Sequence, residues 1–188
     1  MVLGQDLAHD MVLRIALDQI SNNVTVEQQI RGVLEIKDKF HHSIELIDSR
    51  QALYAYKCVQ YALRLVGDAT YSSLVHRASH KQAFAGKQFV EWLIAKKYLL
   101  ELPDSSAAVG SLIGYFNGQG FKHVGVLGDT NRVKSKWGDL CLFEHGFGEV
   151  PATYGNEIRI FCAIPRELAL TAFRLYLKEL NCSDSDSA

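Results

Sequence analysis

Cys58, His123 and Ser135 supply a thiol, an imidazole and a hydroxyl in an order along the chain that could form a catalytic site. Hydrolysis of an amide by a cysteine needs a thiolate, a histidine that takes up and later returns a proton, and a polar group that orients the histidine. Cys58 lies in YAYKCVQYALRLVG, His123 in FKHVGVLG and Ser135 in RVKSKWG. This order predicts Cys58 as the nucleophile, His123 as the base and acid, and Ser135 as the orienting group.

These three residues can meet only if a helix packs against a pair of strands. Twelve positions separate His123 from Ser135, and the turn residues around Asp129 predict a hairpin that makes them neighbours on paired strands. We expect both side chains to face the helix that carries Cys58.

The start of that helix is a further requirement. Asp48 is a good helix N-cap, and a helix that begins there would place Cys58 in its middle, where the helix dipole helps a thiolate little. The chemistry therefore requires a break in the helix within residues 54–57.

The whole pattern predicts an α+β fold in one domain. Helical spacing of apolar residues continues to about residue 102, and five short strand-like runs separated by turn residues follow residues 103–110. Helices followed by contiguous antiparallel strands favour an α+β architecture over a parallel doubly wound sheet. We place one domain at 1–182, with a helical N-terminal extension at 1–47, a core at 48–164, a C-terminal helix at 165–180 and a flexible tail at 183–188.

The N-terminal extension predicts two amphipathic helices. Leu7, Met11 and Ile15 fall on one face of the first helix, with Val12 beside them, and the second repeats this spacing through Ile30, Val33 and Leu34. Such apolar faces must be buried, so we expect the two helices to cover the cleft or to dock a protein partner.

Three short motifs give the chain a resemblance to a known family. A helix with C-x-x-Y-A-L, a strand with His-Val-Gly and a following Ser-Lys-Trp-Gly resemble the papain-like cysteine hydrolases, in particular the NlpC-type branch, over residues 51–163. The resemblance implies a papain-like fold, Cys58 as nucleophile with its backbone N–H in the oxyanion hole, and His123 as base. Ser135 stands where papain-type enzymes carry the orienting Asn. Lys57 stands where these relatives commonly have Asn or Asp.

The residues around these motifs complete the predicted site. We expect Trp137, Tyr56 and Lys57 to bind a peptide or amide substrate. Glu144 and His145 are alternative partners for the catalytic histidine, although neighbours on one strand face opposite sides, so Ser135 is preferred.

Other functions compete with hydrolysis. The same residues would serve a thiol acyltransferase or a deamidase, because the pocket chooses the acceptor. A catalytically silent papain-like fold that acts as a binding module is the alternative from another class. His76 and His80 have the spacing of a helical zinc pair, but no third ligand accompanies them, so we expect neither a metal nor a cofactor.

Composition and charge narrow the class of protein. The 188 residues carry a formal charge of −1, so no global field attracts nucleic acid or anionic membranes. The N-terminal segment lacks the basic start and unbroken apolar run of a secretory signal, and the four cysteines form no C-x-x-C pair. We therefore expect a cytoplasmic enzyme that contacts neither nucleic acid nor a membrane.

Overall fold

The protein is described by a computed structural model that covers residues 7–22, 24–49, 56–78 and 84–185. These residues form six α-helices and one seven-stranded antiparallel sheet. The helices are α1 (Leu7–Gln19), α2 (Val26–Phe40), α3 (Cys58–Ala62), α4 (Ala69–Arg77), α5 (Lys87–Ala95) and α6 (Arg166–Ser185). The strands are β1 (Glu45–Asp48), β2 (Glu101–Leu102), β3 (Leu112–Asn117), β4 (Gly120–Leu127), β5 (Val133–Lys136), β6 (Leu142–His145) and β7 (Glu157–Phe161). The predicted α+β class is thus confirmed.

The sheet has the strand order β1-β6-β5-β4-β3-β7-β2. Strands β3 to β6 form a meander of consecutive hairpins, and β7 returns to pair with the other side of β3. The β4–β5 hairpin turns at Asn131, whose backbone adopts a φ of 57°, a left-handed conformation that asparagine tolerates. All five strands predicted from the sequence are present.

Helices cover both faces of the sheet. Even-numbered residues of β4, such as Val124, pack with α3, α5 and α6 in one apolar cluster, which we call the α3 face. The opposite side holds a second cluster that contains Tyr115, Trp137 and Phe143 together with α1 and α2, which we call the α1 face. Alternation of side chains along each strand therefore decides which helices a residue meets.

The helix that carries Cys58 begins later than predicted. Asp48 ends strand β1 and is not a helix N-cap, so that prediction is wrong. Lys57 is the N-cap of α3 in an extended conformation, and Cys58 is the first residue of the helix. The required break is therefore present, while residues 50–55, the predicted first turn, lie outside the described residues.

The N-terminal helices pack on the sheet in an unexpected orientation. Leu13 and Leu17 of α1 are fully buried, whereas Met11, Val12 and Ile15 are 40%, 56% and 50% exposed. The predicted apolar face of α1 is therefore not the face it buries. The physical reason is Arg14, whose guanidinium binds three backbone carbonyls of the connection between β6 and β7 and fixes the rotation of the helix.

Two boundaries of the predicted domain plan differ from those of the structure. The division after residue 47 falls inside β1, which pairs with β6 and belongs to the sheet. Helix α6 continues to Ser185, beyond the predicted end at residue 180, and residues 186–188 lie outside the described part. None of the helices in the described ranges combines the length and the apolarity that a membrane crossing needs.

Candidate active site

The candidate site lies where strands β4 and β5 separate. Their ladder ends at the pair formed by Val126 and Lys134. The Gly128 N–H donates to the Arg132 carbonyl across the hairpin. Successive N–H groups along a strand point in opposite directions, so the even-numbered residues of β4 point their N–H groups towards β5. Past the end of the ladder, the Val124 N–H therefore opens into the gap between the two strands.

Cys58 occupies this gap. Helix α3 contacts both β4 and β5, and the backbone N–H of Val124 points at the Cys58 thiol. Because Val124 directly follows His123, the thiol lies beside the peptide that joins these two residues. The backbone N–H groups of Cys58 and Val59, at the first turn of α3, also point at the sulfur.

Burial decides the protonation state of Cys58. Removal from water raises the pKa of the thiol above its usual value, and this effect exceeds the opposing one of the three backbone N–H groups. The positive charge of Lys136 also acts to lower the pKa of Cys58. The resting sulfur is therefore a neutral thiol, surrounded by groups that favour a thiolate.

Lys136 is the fully buried cation of the site. It follows Ser135 on β5 and shares the α3 face with Cys58. Its Nζ donates to the Leu140 carbonyl at 3.1 Å and lies 5.1 Å from the centroid of the Tyr56 ring. Burial lowers the pKa of Lys136 to about 8, because the charged ammonium is poorly solvated. A nearby anion would therefore stabilise the ammonium.

His123 lies on the opposite side of the sheet, on the α1 face. Its ring is paired with Tyr115 across the β3–β4 ladder, with centroids 5.7 Å apart, and is stacked on Tyr154 at 4.0 Å. The Nε2 atom is buried without a hydrogen-bond partner in the described part of the chain. Burial, followed by the charge of His145, lowers the pKa of His123 well below its usual value. The imidazole is therefore neutral.

Ser135 does share a face of the sheet with His123, as predicted, but not the one that faces α3. Its Oγ lies 2.7 Å from Nε2 of His145 and accepts a hydrogen bond from Nε1 of Trp137 at 3.1 Å. The alternative partner Glu144 points to the other side and binds the hydroxyl of Thr130. In this structure Ser135 therefore orients His145, and the expectation that both side chains face the Cys58 helix is wrong.

The predicted substrate-binding residues lie in two different places. Tyr56 and Lys57 precede Cys58 at the mouth of the gap, where Lys57 forms a half-exposed ion pair with Asp139. Trp137 is fully buried on the α1 face and packs against the ring of Phe143 at 4.6 Å. In this conformation Trp137 supports Ser135 and has no surface to offer a substrate.

Tyr154 is a site residue to which the sequence assigned no role. Its hydroxyl accepts the Gly138 N–H at 3.1 Å, so it ties the β5–β6 turn to the stacked His123 ring. Burial raises the pKa of the Tyr154 phenol, and a negative charge on the Cys58 sulfur would raise it further. Tyr154 belongs to the motif Pro-x-x-Tyr-Gly at residues 151–155. Its contact with His123 joins distant parts of the chain, so no local pattern indicated it.

Metal binding finds no support among the residues described. No group of three or more His, Cys, Asp or Glu side chains in those ranges is arranged to hold an ion. His76 is exposed on α4, and His80 lies outside the described residues.

Comparison with known proteins assigns neither a family nor a function to the chain. No family model, no curated protein and no solved structure matches the chain.

Proposed function

We propose that the chain is a cysteine-dependent hydrolase of peptides or amides with Cys58 as nucleophile and His123 as base and acid. One observation carries the proposal: the Val124 N–H reaches the Cys58 thiol, which places the sulfur beside the strand residue that bears the imidazole. A papain-like fold of the NlpC type is part of the same proposal, because its nucleophile helix also abuts an antiparallel sheet that carries the histidine.

The chemistry begins with two neutral groups. When substrate enters, the Cys58 thiol transfers its proton to His123 through the gap between β4 and β5, where the sheet does not separate the two faces. The sulfur then attacks the carbonyl carbon of the amide. The backbone N–H of Cys58 donates to the oxyanion of the tetrahedral intermediate. His123 then returns the proton to the leaving nitrogen, the C–N bond breaks, and a thioester on Cys58 remains. Water, deprotonated by His123, releases the acid and restores the thiol.

Lys136 supports the charged form of the nucleophile. Its ammonium is buried on the same face as Cys58 and lowers the pKa of the thiol. A buried cation without an anionic partner is costly, and the thiolate would provide that partner. The pair Lys57 and Asp139 flanks the mouth and offers both charges to a polar substrate. A cytoplasmic location and an amide or peptide substrate remain predictions.

A comparison of wild type with Cys58→Ala tests the proposal. Both proteins are incubated with a peptide library and with a small-amide library, and products and protein adducts are identified by mass spectrometry. We expect products and a covalent acyl adduct on Cys58 with wild type alone. The partly exposed Cys162 provides the matched control, because Cys162→Ala should keep all products. Products that persist in Cys58→Ala would remove Cys58 from the reaction.

A silent binding module is the second candidate, and the same site favours it in one respect. Both the thiol and the imidazole are uncharged at rest, since burial raises the pKa of Cys58 and lowers that of His123. A transferase or deamidase would use the same residues with another acceptor. Stable binding of a peptide without any product or adduct would favour the module, whereas transfer of the acyl group to an added amine would favour the transferase.

A further inference from the structure

The loop that carries Tyr154 is fastened to the first helix. Nε of Arg14, in α1, donates to the Val150 carbonyl at 3.2 Å, and its Nη2 donates to the Gly155 carbonyl. Asp18, one turn further along α1, accepts from the backbone N–H of Thr153 at 3.1 Å and from its hydroxyl at 2.6 Å. Two charged side chains of α1 therefore hold residues 150–155, which connect β6 to β7.

The end of the same loop is fixed because the backbone at Gly155 lies close to the backbone of Phe116 in β3. Gly155 has a φ of 102°, and a Cβ atom there would lie 2.1 Å from the Phe116 carbonyl oxygen. Only glycine fits this position. The loop therefore has little freedom while Arg14 and Asp18 remain bound, and the Tyr154 ring stays over His123 with an angle of 20° between the two planes.

Among the described residues, no hydrogen bond fixes Nε2 of the His123 imidazole, and Ser135 is committed to His145. An imidazole ring turns about a soft terminal torsion, so packing must define its orientation when hydrogen bonds do not. The stacked Tyr154 provides that packing.

We propose that Tyr154 is the positioning residue of His123 and that α1, through Arg14 and Asp18, holds it in place. This inference rests on the proposed function, in which His123 becomes a cation when Cys58 loses its proton. A cation over the face of a tyrosine ring within about 6 Å is attracted by the ring. Tyr154 therefore orients the imidazole and stabilises the imidazolium by stacking, the task that a hydrogen-bonded Asn performs in papain-type enzymes.

A double-mutant cycle on alkylation of Cys58 by iodoacetamide tests this role in the full chain. We expect Tyr154→Leu to slow alkylation at pH 7 about tenfold when His123 is present and to change it little in a His123→Ala background. Tyr154→Phe keeps the ring and should keep the wild-type rate. Equal slowing in both backgrounds would mean that Tyr154 acts only on access or folding, and it would overturn the inference.

The stack has a spectroscopic readout that does not need the reaction. The ring protons of His123 should be displaced upfield in the NMR spectrum of wild type and of Tyr154→Phe. Arg14→Gln should reduce this displacement, while Arg31→Gln, at an exposed position of α2, should leave it unchanged. Absence of the displacement in wild type would overturn the inference.

The cycle also separates failure of the inference from failure of the proposed function. If His123→Ala alone leaves Cys58 alkylation unchanged, the proposed function is wrong and the inference falls with it. If His123→Ala slows alkylation but Tyr154→Leu does not, the inference alone is overturned.

Discussion

Ser135 Oγ and His145 Nε2 lie 2.7 Å apart in the interior of the protein, between neighbouring strands β5 and β6. The hydroxyl also accepts from Trp137, and Nδ1 of His145 lies 2.7 Å from the Gly146 carbonyl. This buried chain of hydrogen bonds runs beside His123 without including its Nε2 atom. Its first consequence is for stability.

Ser135→Ala should lower the free energy of unfolding by about 1–3 kcal/mol, because buried donors and acceptors on Trp137 and His145 would lose their partner. Urea titration measures the change, and Ser105→Ala, at an exposed position, serves as the control with an expected change near zero. If Ser135→Ala instead abolished Cys58 alkylation with no loss of stability, Ser135 would be the orienter of His123 after all.

The buried histidines predict loss of stability in acid. Burial lowers the pKa of His145 from 6.5 to about 4, so between these values the unfolded chain binds more protons than the folded one. Stability is therefore complete above pH 6.5 and falls by up to about 3 kcal/mol as the pH drops through 4. His123 acts in the same direction.

Urea titrations at a series of pH values measure this slope. His145→Gln should flatten it, because glutamine can occupy the site without titrating, whereas His76→Gln, at an exposed position, should not. A slope that is equally steep in His145→Gln would show that other groups cause the acid sensitivity.

Lys136→Met should raise the pKa of Cys58, because the cation that lowers it is removed. The expected result is at least a roughly threefold slower alkylation of Cys58 at neutral pH. Stability should be unchanged or higher, since methionine fills the volume without a buried charge. Lys134→Met, on the same strand but 37% exposed, is the matched control. Faster alkylation in Lys136→Met would contradict the supporting role of the ammonium.

Gly125 allows the side chains of Val133 and Ser135 on β5 to pack closely against β4. A Cβ there would lie 2.4 Å from Cγ1 of Val133 and 2.9 Å from Cβ of Ser135. Gly125→Ala should therefore destabilise the fold by about 1–3 kcal/mol through overpacking. Gly118→Ala, where a Cβ meets no atom within 4 Å, is the control for the loss of glycine itself. Equal unfolding midpoints for the two variants would contradict this packing.

The sequence predicted the central strands well and the edges poorly. Strands β3 to β7 alternate apolar residues between clear turn signals, which is local information. Strand β2 has two residues and β1 has four, and each is a strand only because it pairs with a neighbouring strand. No local pattern distinguishes such edge strands from loops.

The site shows the same division between local and distant information. Strand parity correctly placed His123 and Ser135 on one side of the sheet, and the break before Cys58 was a requirement of the chemistry. Which side faces α3 depends on packing across the sheet. The contact between Arg14 and Gly155 joins residues 141 positions apart, so no short-range pattern could indicate it, and it reversed the predicted face of α1.

If His123 activates Cys58, removal of the imidazole must slow the alkylation of Cys58 at pH 7. The rate is measured peptide by peptide in wild type and His123→Ala, with the partly exposed Cys162 of the same molecule as the internal reference. We expect His123→Ala to slow the alkylation of Cys58 at least about tenfold and to leave that of Cys162 unchanged. Equal Cys58 rates in the two proteins would contradict it.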